Sequence, residues 1–242
     1  VTGTGSIAVQ RWNTVSIAAM GSLGALLVVL AFGPAFLGPY LTDRLTTLFI
    51  YVILAAMWNA LAGYGGLVSV GQQAFFGLGA YAAIRLSHAG IEVYVALLVA
   101  PLLIGVLSIP LSTFALRLRG GEFAIGMWVF AELAHLLVNL DGLVQGETGT
   151  SLIAISDFAP DARRAYDYWL ALAVMTLVVG AVFFLLRSRT GAAIQAIRDN
   201  EEAAASIGVR VMATKRLIFV LAAMGCAAAG ALTLSTLISF QP

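Results

Sequence analysis

Charge is what this sequence has least of. Asp, Glu, Lys and Arg make up 10% of its 242 residues, whereas a soluble domain carries about 25%. So few charges cannot clothe a solvated surface, which excludes a soluble globular enzyme. The two signs nearly cancel, at a net charge of +1. No basic surface is left to neutralise phosphates, and a nucleic-acid partner is excluded. The single cysteine, Cys226, stands in an apolar block, so no internal disulfide can form. With only two histidines, His88 and His135, there is no metal-ligand cluster. No G-x-x-x-x-G-K-[ST] occurs, so this chain has no P-loop to cradle ATP phosphates. The stretch Gly77-Leu78-Gly79-Ala80-Tyr81-Ala82 fits a loose dinucleotide pattern, but it sits in an apolar run with no strand before it. No nucleophile–base pair stands out by spacing, and no enzyme chemistry is expected.

What the chain has in abundance is apolar sequence in long blocks, at 61% hydrophobic residues and a mean hydropathy of +0.97. A helix crosses a bilayer with about 20 apolar residues. That length marks seven runs, at 15–32, 45–62, 67–84, 93–115, 123–140, 168–186 and 217–240. The first exceeds the apolar core of a signal peptide, about 7–15 residues, and no A-x-A site follows it, so it reads as a retained anchor. The expected fold is an all-α membrane protein, a polytopic helix bundle of about seven spans forming a single transmembrane domain over residues 1–242.

The loops give an orientation. Residues 187–216 carry Arg187, Arg189, Arg198, Arg210, Lys215 and Arg216 against Asp199, Glu201 and Glu202. Residues 141–167 carry Asp141, Glu147, Asp157, Asp161 and Asp167 against Arg163 and Arg164. The positive-inside rule places 187–216 in the cytoplasm, and 141–167 then faces outward. Counting back puts Arg117 and Arg119 inside, 85–92 outside, and the N-terminus with Arg11 inside.

The third run is unusual. Gly63, Gly65, Gly66, Gly71, Gly77 and Gly79 crowd it, with Ser69, Gln72 and Gln73 among them. Each glycine weakens a helix by up to about 1 kcal/mol. Broken backbone is tolerated at membrane depth only where protein buries it or water lines it. The segment is therefore either tightly packed or part of a pathway. Asn59, Ser69, Gln72 and Gln73 read either as interhelical glue or as path lining. Glu132 and His135 are the ionisable residues well inside a run, three apart on one helix face, with Asn139 one turn on. A charge at mid-bilayer costs about 2.5–3.5 kcal/mol on insertion scales. The pair either lines a solute path or locks two helices together.

Residues 190–208 read as a single amphipathic helix, begun by Ser188 or Thr190 and ended by Gly208. Ile194, Ile197, Ala204 and Ala205 fall near one face, and Arg198, Asp199, Glu201 and Glu202 fill much of the remainder. Such a helix between two spans is either a solvated connector or a docking surface for another protein. Small residues at four-residue spacing around Gly225 and Gly230 favour close helix packing.

Three blocks carry a family resemblance. Residues 66–81, Gly66-Leu67-Val68-Ser69-Val70-Gly71-Gln72-Gln73 and onward to Tyr81, resemble the glycine-rich signature of the branched-chain amino-acid ABC transporter permeases. The stretch from Leu118-Arg119-Gly120-Gly121-Glu122 through Glu132-Leu133 resembles a second block. Within residues 191–208, Glu202-Ala203-Ala204 with Gly208 six residues after the glutamate is similar to the E-A-A-x-x-x-G loop that contacts the ATPase subunit in ABC importers. The pattern resembles the LivM-like member of the permease pair. Gln73 stands where the family usually has a small residue, and residues 146–150 follow the family's outer loop only loosely. Relatives usually continue with further spans, so the resemblance implies a shortened member or a fragment.

The resemblance implies an importer permease in the bacterial inner membrane, multi-pass with a cytoplasmic N-terminus, surrounded by lipid. It implies ATPase subunits that bind ATP and Mg, so that no cofactor is expected in this chain. A second permease subunit in a heterodimer and an extracytoplasmic solute-binding protein complete the implied assembly. The implied solutes are branched-chain or related amino acids, or small amide- or urea-like molecules. Residues 187–216 become the coupling loop, with Arg198, Asp199, Glu202, Ala203, Ala204 and Gly208 at the ATPase. Asn59, Ser69, Gln72, Gln73, Glu132 and His135 become candidates for the translocation path. The alternatives are a secondary carrier or channel that uses Glu132 and His135, or a structural subunit with no path of its own.

Overall fold

A computed structural model describes residues 14–144, 150–152, 155, 158–237 and 239–240. Five helices are long and apolar enough to cross a membrane: Pro39–Tyr64, Val93–Ala115, Gly121–Asn139, Pro160–Arg187 and Val211–Leu237. Two more match the remaining runs, one of 18 residues at Thr14–Ala31 and one of 17 at Gln72–His88. In chain order the helices are α1 (Thr14–Ala31), α2 (Gly33–Phe36), α3 (Pro39–Trp58), α4 (Gln72–His88), α5 (Val93–Ala115) and α6 (Gly121–Asn139). They continue with α7 (Pro160–Arg187), α8 (Arg189–Asp199), α9 (Glu201–Ser206) and α10 (Val211–Leu237). A π-helical turn, Asn59–Tyr64, extends α3. The one pairing of extended chain among the described residues joins β1 (Thr150–Ser151) antiparallel to β2 (Ser239–Phe240). The fold is thus all-α and polytopic, as expected.

The helix α10 is the axis of the bundle. In its most apolar window 72% of residues are buried, against 22% in α7. It packs on α4, α5, α3 and α7. Small residues make this possible: Ala222, Ala223, Gly225, Cys226, Ala227, Ala228, Ala229, Gly230 and Ala231 are all buried. Without a hydrophobic drive between helices in lipid, close backbone approach supplies the attraction. A Cβ on Gly79 of α4 would fall on the Ala227 backbone, and one on Gly230 would fall on the Phe76 carbonyl. The two helices therefore cross backbone against backbone. Around them lie Phe75, Phe123 and Phe219, stacked edge to face on centroids 5.6 and 6.4 Å apart.

Several boundaries move. The third run is not helical from residue 67; its helix begins at Gln72. Residues 65–71 form a non-helical link in which Leu67, Ser69 and Gly71 are buried and Gly66 takes φ +67°. Protein burial is thus what makes the break tolerable. Lys215 and Arg216 belong to α10, not to the preceding loop, and Asp167 lies inside α7. Lys215 is buried because its ammonium is held by Glu201 Oε2 at 2.6 Å. Arg11, Glu147, Asp157 and most of the 146–150 outer loop lie outside the described residues, so the charge count of the outer loop rests partly on them.

The predicted single helix over 190–208 is two helices. Ser188 caps α8, its hydroxyl accepting from Gly191 N at 3.3 Å. Asn200, with φ −158°, interrupts the helix and caps α9 through Oδ1, accepting from Ala203 N at 2.9 Å. Glu201 and Glu202 follow it in the first turn, where the helix dipole favours acids. Gly208, at φ +88°, ends the unit as predicted. Ile194, Ile197 and Ala204 face inward, whereas Ala205 is exposed and not on that face.

Candidate functional site

Beside the α4–α10 crossing, α6 stands apart. Only one strip of it, Phe123, Met127, Ala131, Ala134 and Val138, is buried, the apolar side chains recurring every third or fourth residue. The rest of α6 faces out of the bundle. Between it, α4 and α10 runs an open groove of about 540 Å³. Its polar lining is Gln73 from α4, Glu132 and His135 from α6, and Thr233 from α10; Phe76, Val138 and Leu234 are among its apolar walls. The volume falls in the range typical of small-molecule sites, about 300–1,000 Å³.

The groove sorts the path candidates. It brings together Gln73, Glu132 and His135. Asn59 is not among its lining residues: it opens the π-turn, and its side chain fills the space that Gly63 leaves. Ser69 is buried in the link, and Gln72 is half-buried at the start of α4. Sequence reasoning missed Thr233, and it named Gly77 among the glycines of the third run without singling it out for the path. Both carry weak signals, a hydroxyl and a glycine in an apolar run, which meet the groove only through the α4–α10 packing.

Glu132 and His135 remain exposed, at 64% and 42% of their side chains, with His135 Nδ1 3.9 Å from Glu132 Oε1. His135 Nε2 lies 2.9 Å from Asn139 Nδ2, which donates if the ring is protonated at Nδ1. These polar contacts stay within α6, and among the described residues none joins the pair to a second helix. An ionisable pair at the middle of a spanning helix, facing an open groove, demands water, a solute or a second protein against it.

Just beyond the C-terminal end of α6, Asp141 grips α4. It accepts from the Tyr81 hydroxyl, pairs with Arg85 Nη2 at 2.8 Å and accepts from Leu143 N at 3.1 Å. The Tyr81 hydrogen bond above all, then the Leu143 amide and Arg85, hold the Asp141 carboxyl below the usual carboxylate range. Between α7 and α3, Arg164 bonds Asp43 at 3.0 Å.

At the end of the bundle where α7 gives way to α10, α8 and α9 form a tethered unit. Arg198 Nη1 donates to the Gly63 carbonyl at 3.1 Å, and Arg198 also pairs with Asp199 at 2.8 Å. Ala204 is buried and anchors α9 from below. Glu202, Ala203 and Gly208 are exposed, and beside them Ile207 is 77% and Met212 41% exposed. An exposed isoleucine among small residues on a surface turn makes a compact apolar knob for a partner. The spacing of the sequence did not reveal Ile207; its exposure follows from the turn at Gly208.

The family model described as branched-chain amino acid transport system, permease component, matches residues 40–242. The chain is similar to the high-affinity branched-chain amino acid transport system permease protein LivM of Escherichia coli (strain K12), 29% identical over 237 residues, covering 87% of this chain and 56% of that protein. It is equally similar to the LivM of Salmonella typhimurium (strain LT2), with 29% identity and the same coverage. The chain thus spans little more than half the length of the curated relatives it matches. No solved structure matches it.

Proposed function

Because the chain belongs to the family of permease components of branched-chain amino acid transport systems, we propose that it forms one wall of an importer's translocation path. In this reading the groove between α4, α6 and α10 is half of the path, and a second permease subunit closes it. The observation that carries the reading is the Glu132–His135 pair, mid-span and facing out of the bundle. A hydrocarbon contact there would cost about 2.5–3.5 kcal/mol per charge, whereas a hydrated path lined by a partner avoids that cost. The mixed lining, four polar side chains among apolar ones, suits an overall neutral amphipathic solute such as a branched-chain amino acid.

The energy source in this reading is an ATPase subunit docked on α8–α9 from the cytoplasm. Ala203, Ile207 and Gly208 offer the contact surface and Glu202 its rim. Ala204 contributes from beneath as an anchor, and ATP with Mg stays on the ATPase. A solute-binding protein delivers from outside, and the chain lies in the bacterial inner membrane with its N-terminus in the cytoplasm. Copurification from the native membrane, followed by mass spectrometry, tests this. An ATPase should accompany the wild-type chain, and its recovery should fall at least tenfold when Ala203→Trp and Gly208→Val are combined. A chain recovered intact without any ATPase would favour a carrier built on Glu132 and His135. In that case Glu132→Gln would abolish ion-coupled uptake.

A further inference from the structure

We propose that Arg198 is a positioning residue that couples the cytoplasmic α8–α9 unit to the glycine link before α4; the proposal rests on the ATPase-docking reading of that unit. Two stretches far apart in sequence meet here, 63–66 and 198. In the π-turn the carbonyls of Ala60, Leu61 and Ala62 are taken by the amides of Gly65, Leu67 and Gly66, at 3.1, 3.0 and 3.2 Å. The next carbonyl, that of Gly63, accepts from the Arg198 guanidinium at 3.1 Å. Arg198 thereby caps the end of a helix that the link can no longer extend. Its stem also lies over Gly66: a Cβ there would sit 2.9 Å from Arg198 Cγ and 3.4 Å from Cβ. Gly66 is doubly constrained, by this contact and by its φ of +67°. The guanidinium is aimed by Asp199, which accepts from Nε at 3.0 Å and from Nη2 at 2.8 Å.

From this grip the link runs directly to the groove. Gly71 lies so close to α6 that a Cβ would fall on the Met127 carbonyl. Two residues later Gln73 enters the groove lining. Ser69 Oγ in the link and Gln72 Nε2 at the first residue of α4 are buried without a hydrogen-bond partner among the described residues. A buried polar group without a partner is costly, so the link and the start of α4 have hydrogen bonds to gain by rearranging. The second tether, Lys215 to Glu201 at 2.6 Å, ties α9 to the buried axis α10 and gives the unit a fixed point. A displacement of α8 relative to α10 is therefore delivered through Arg198 to residues 63–71, and by them to the α4 and α6 walls of the groove.

The test uses the intact transporter, with its ATPase and binding protein, in proteoliposomes, with leucine as the probe. Gly66→Ala lies outside the docking unit. It should leave ATPase copurification within about twofold of wild type and lower the leucine imported per ATP hydrolysed at least tenfold. Arg198→Ala should lower the same ratio as strongly, and Arg198→Lys should restore part of it, since one ammonium N–H can still reach the Gly63 carbonyl. Coupled import at the wild-type ratio in both Gly66→Ala and Arg198→Ala overturns the proposal. So does loss of ATPase recovery in Gly66→Ala, because the contact would then shape the docking surface and transmit nothing. Failure of the docking reading would show separately, as no ATPase recovered with the wild-type chain.

Discussion

The two faces of α4 are built on opposite plans. Toward α10, Gly79 meets the Ala227 backbone with no room for a single methyl group. Toward the groove, Gly77, two residues earlier, has nothing within 4 Å of where its Cβ would stand. Both are glycines in one helix, and both weaken it equally by propensity. One permits a backbone crossing, and the other leaves space. The difference teaches that glycine-rich membrane segments serve packing and passage at once, on different sides of the same turn.

The largest expected effect comes from breaking the packed face. Gly79→Leu or Gly230→Val would push a side chain into backbone atoms of the facing helix, which cannot swing aside as a side chain can. Overpacking costs about 1–3 kcal/mol where side chains can yield, and more where backbone must shift. Either variant should fail to accumulate as a folded, detergent-stable chain, measured by size-exclusion profile and membrane yield. Gly77→Ala, by contrast, should accumulate normally, gaining up to about 1 kcal/mol of helix propensity.

The next effect should sharpen the open face. Glu132→Gln removes the groove's carboxylate, and His135→Leu its imidazole, while among the described residues no other helix loses a hydrogen bond to either residue. Leucine uptake should fall about tenfold, equivalent to about 1.4 kcal/mol, with an unchanged melting temperature and unchanged ATPase recovery. Gly77→Leu should act similarly by filling the groove. A melting temperature that drops with Glu132→Gln would show the pair to be structural and would erase the contrast between the two faces.

How much of this was legible in the sequence depends on which physical signal each feature leaves. The runs predicted seven spans, because burial in lipid needs unbroken apolar length. The link at 65–71 was foreseen as unusual from its glycines, but not its non-helical course, which depends on Arg198 and Met127 lying against it. Gly208 was legible as a helix end; Asn200 was not, because Asp199-Asn200-Glu201-Glu202 reads as a polar helix face until the extended φ at Asn200 is seen. Glu132 and His135 were picked out by charge alone, and Gln73 by polarity. What joined these three, and left Asn59, Ser69 and Gln72 elsewhere, was the crossing of α4 with α10. That crossing is written in small residues whose partners no local pattern identifies.

The smallest expected effect is at the Asp141 end of α4, where an ion pair and hydrogen bonds supplement the packing of Ala83 and Ile84. Asp141→Asn would weaken the hydrogen bonds from Tyr81 and Leu143 and remove the ion pair with Arg85. Arg85 is half exposed, and exposed pairs contribute little once solvent screens them. The melting temperature of the purified protein at neutral pH should therefore fall by only about 2 °C. The sign of its pH dependence is fixed by the folded carboxyl titrating below its usual range. The stabilisation is complete above the unfolded carboxylate value, about 3.9, and is lost as pH falls through the depressed folded value. Wild type and Asp141→Asn should thus differ by a constant amount from neutral pH down to the carboxylate range and converge below it. If the gap between them widened on acidification, the carboxyl would be titrating above its usual range, and the Asp141 grip would be a cost of burial and not a contact that holds α4 in place.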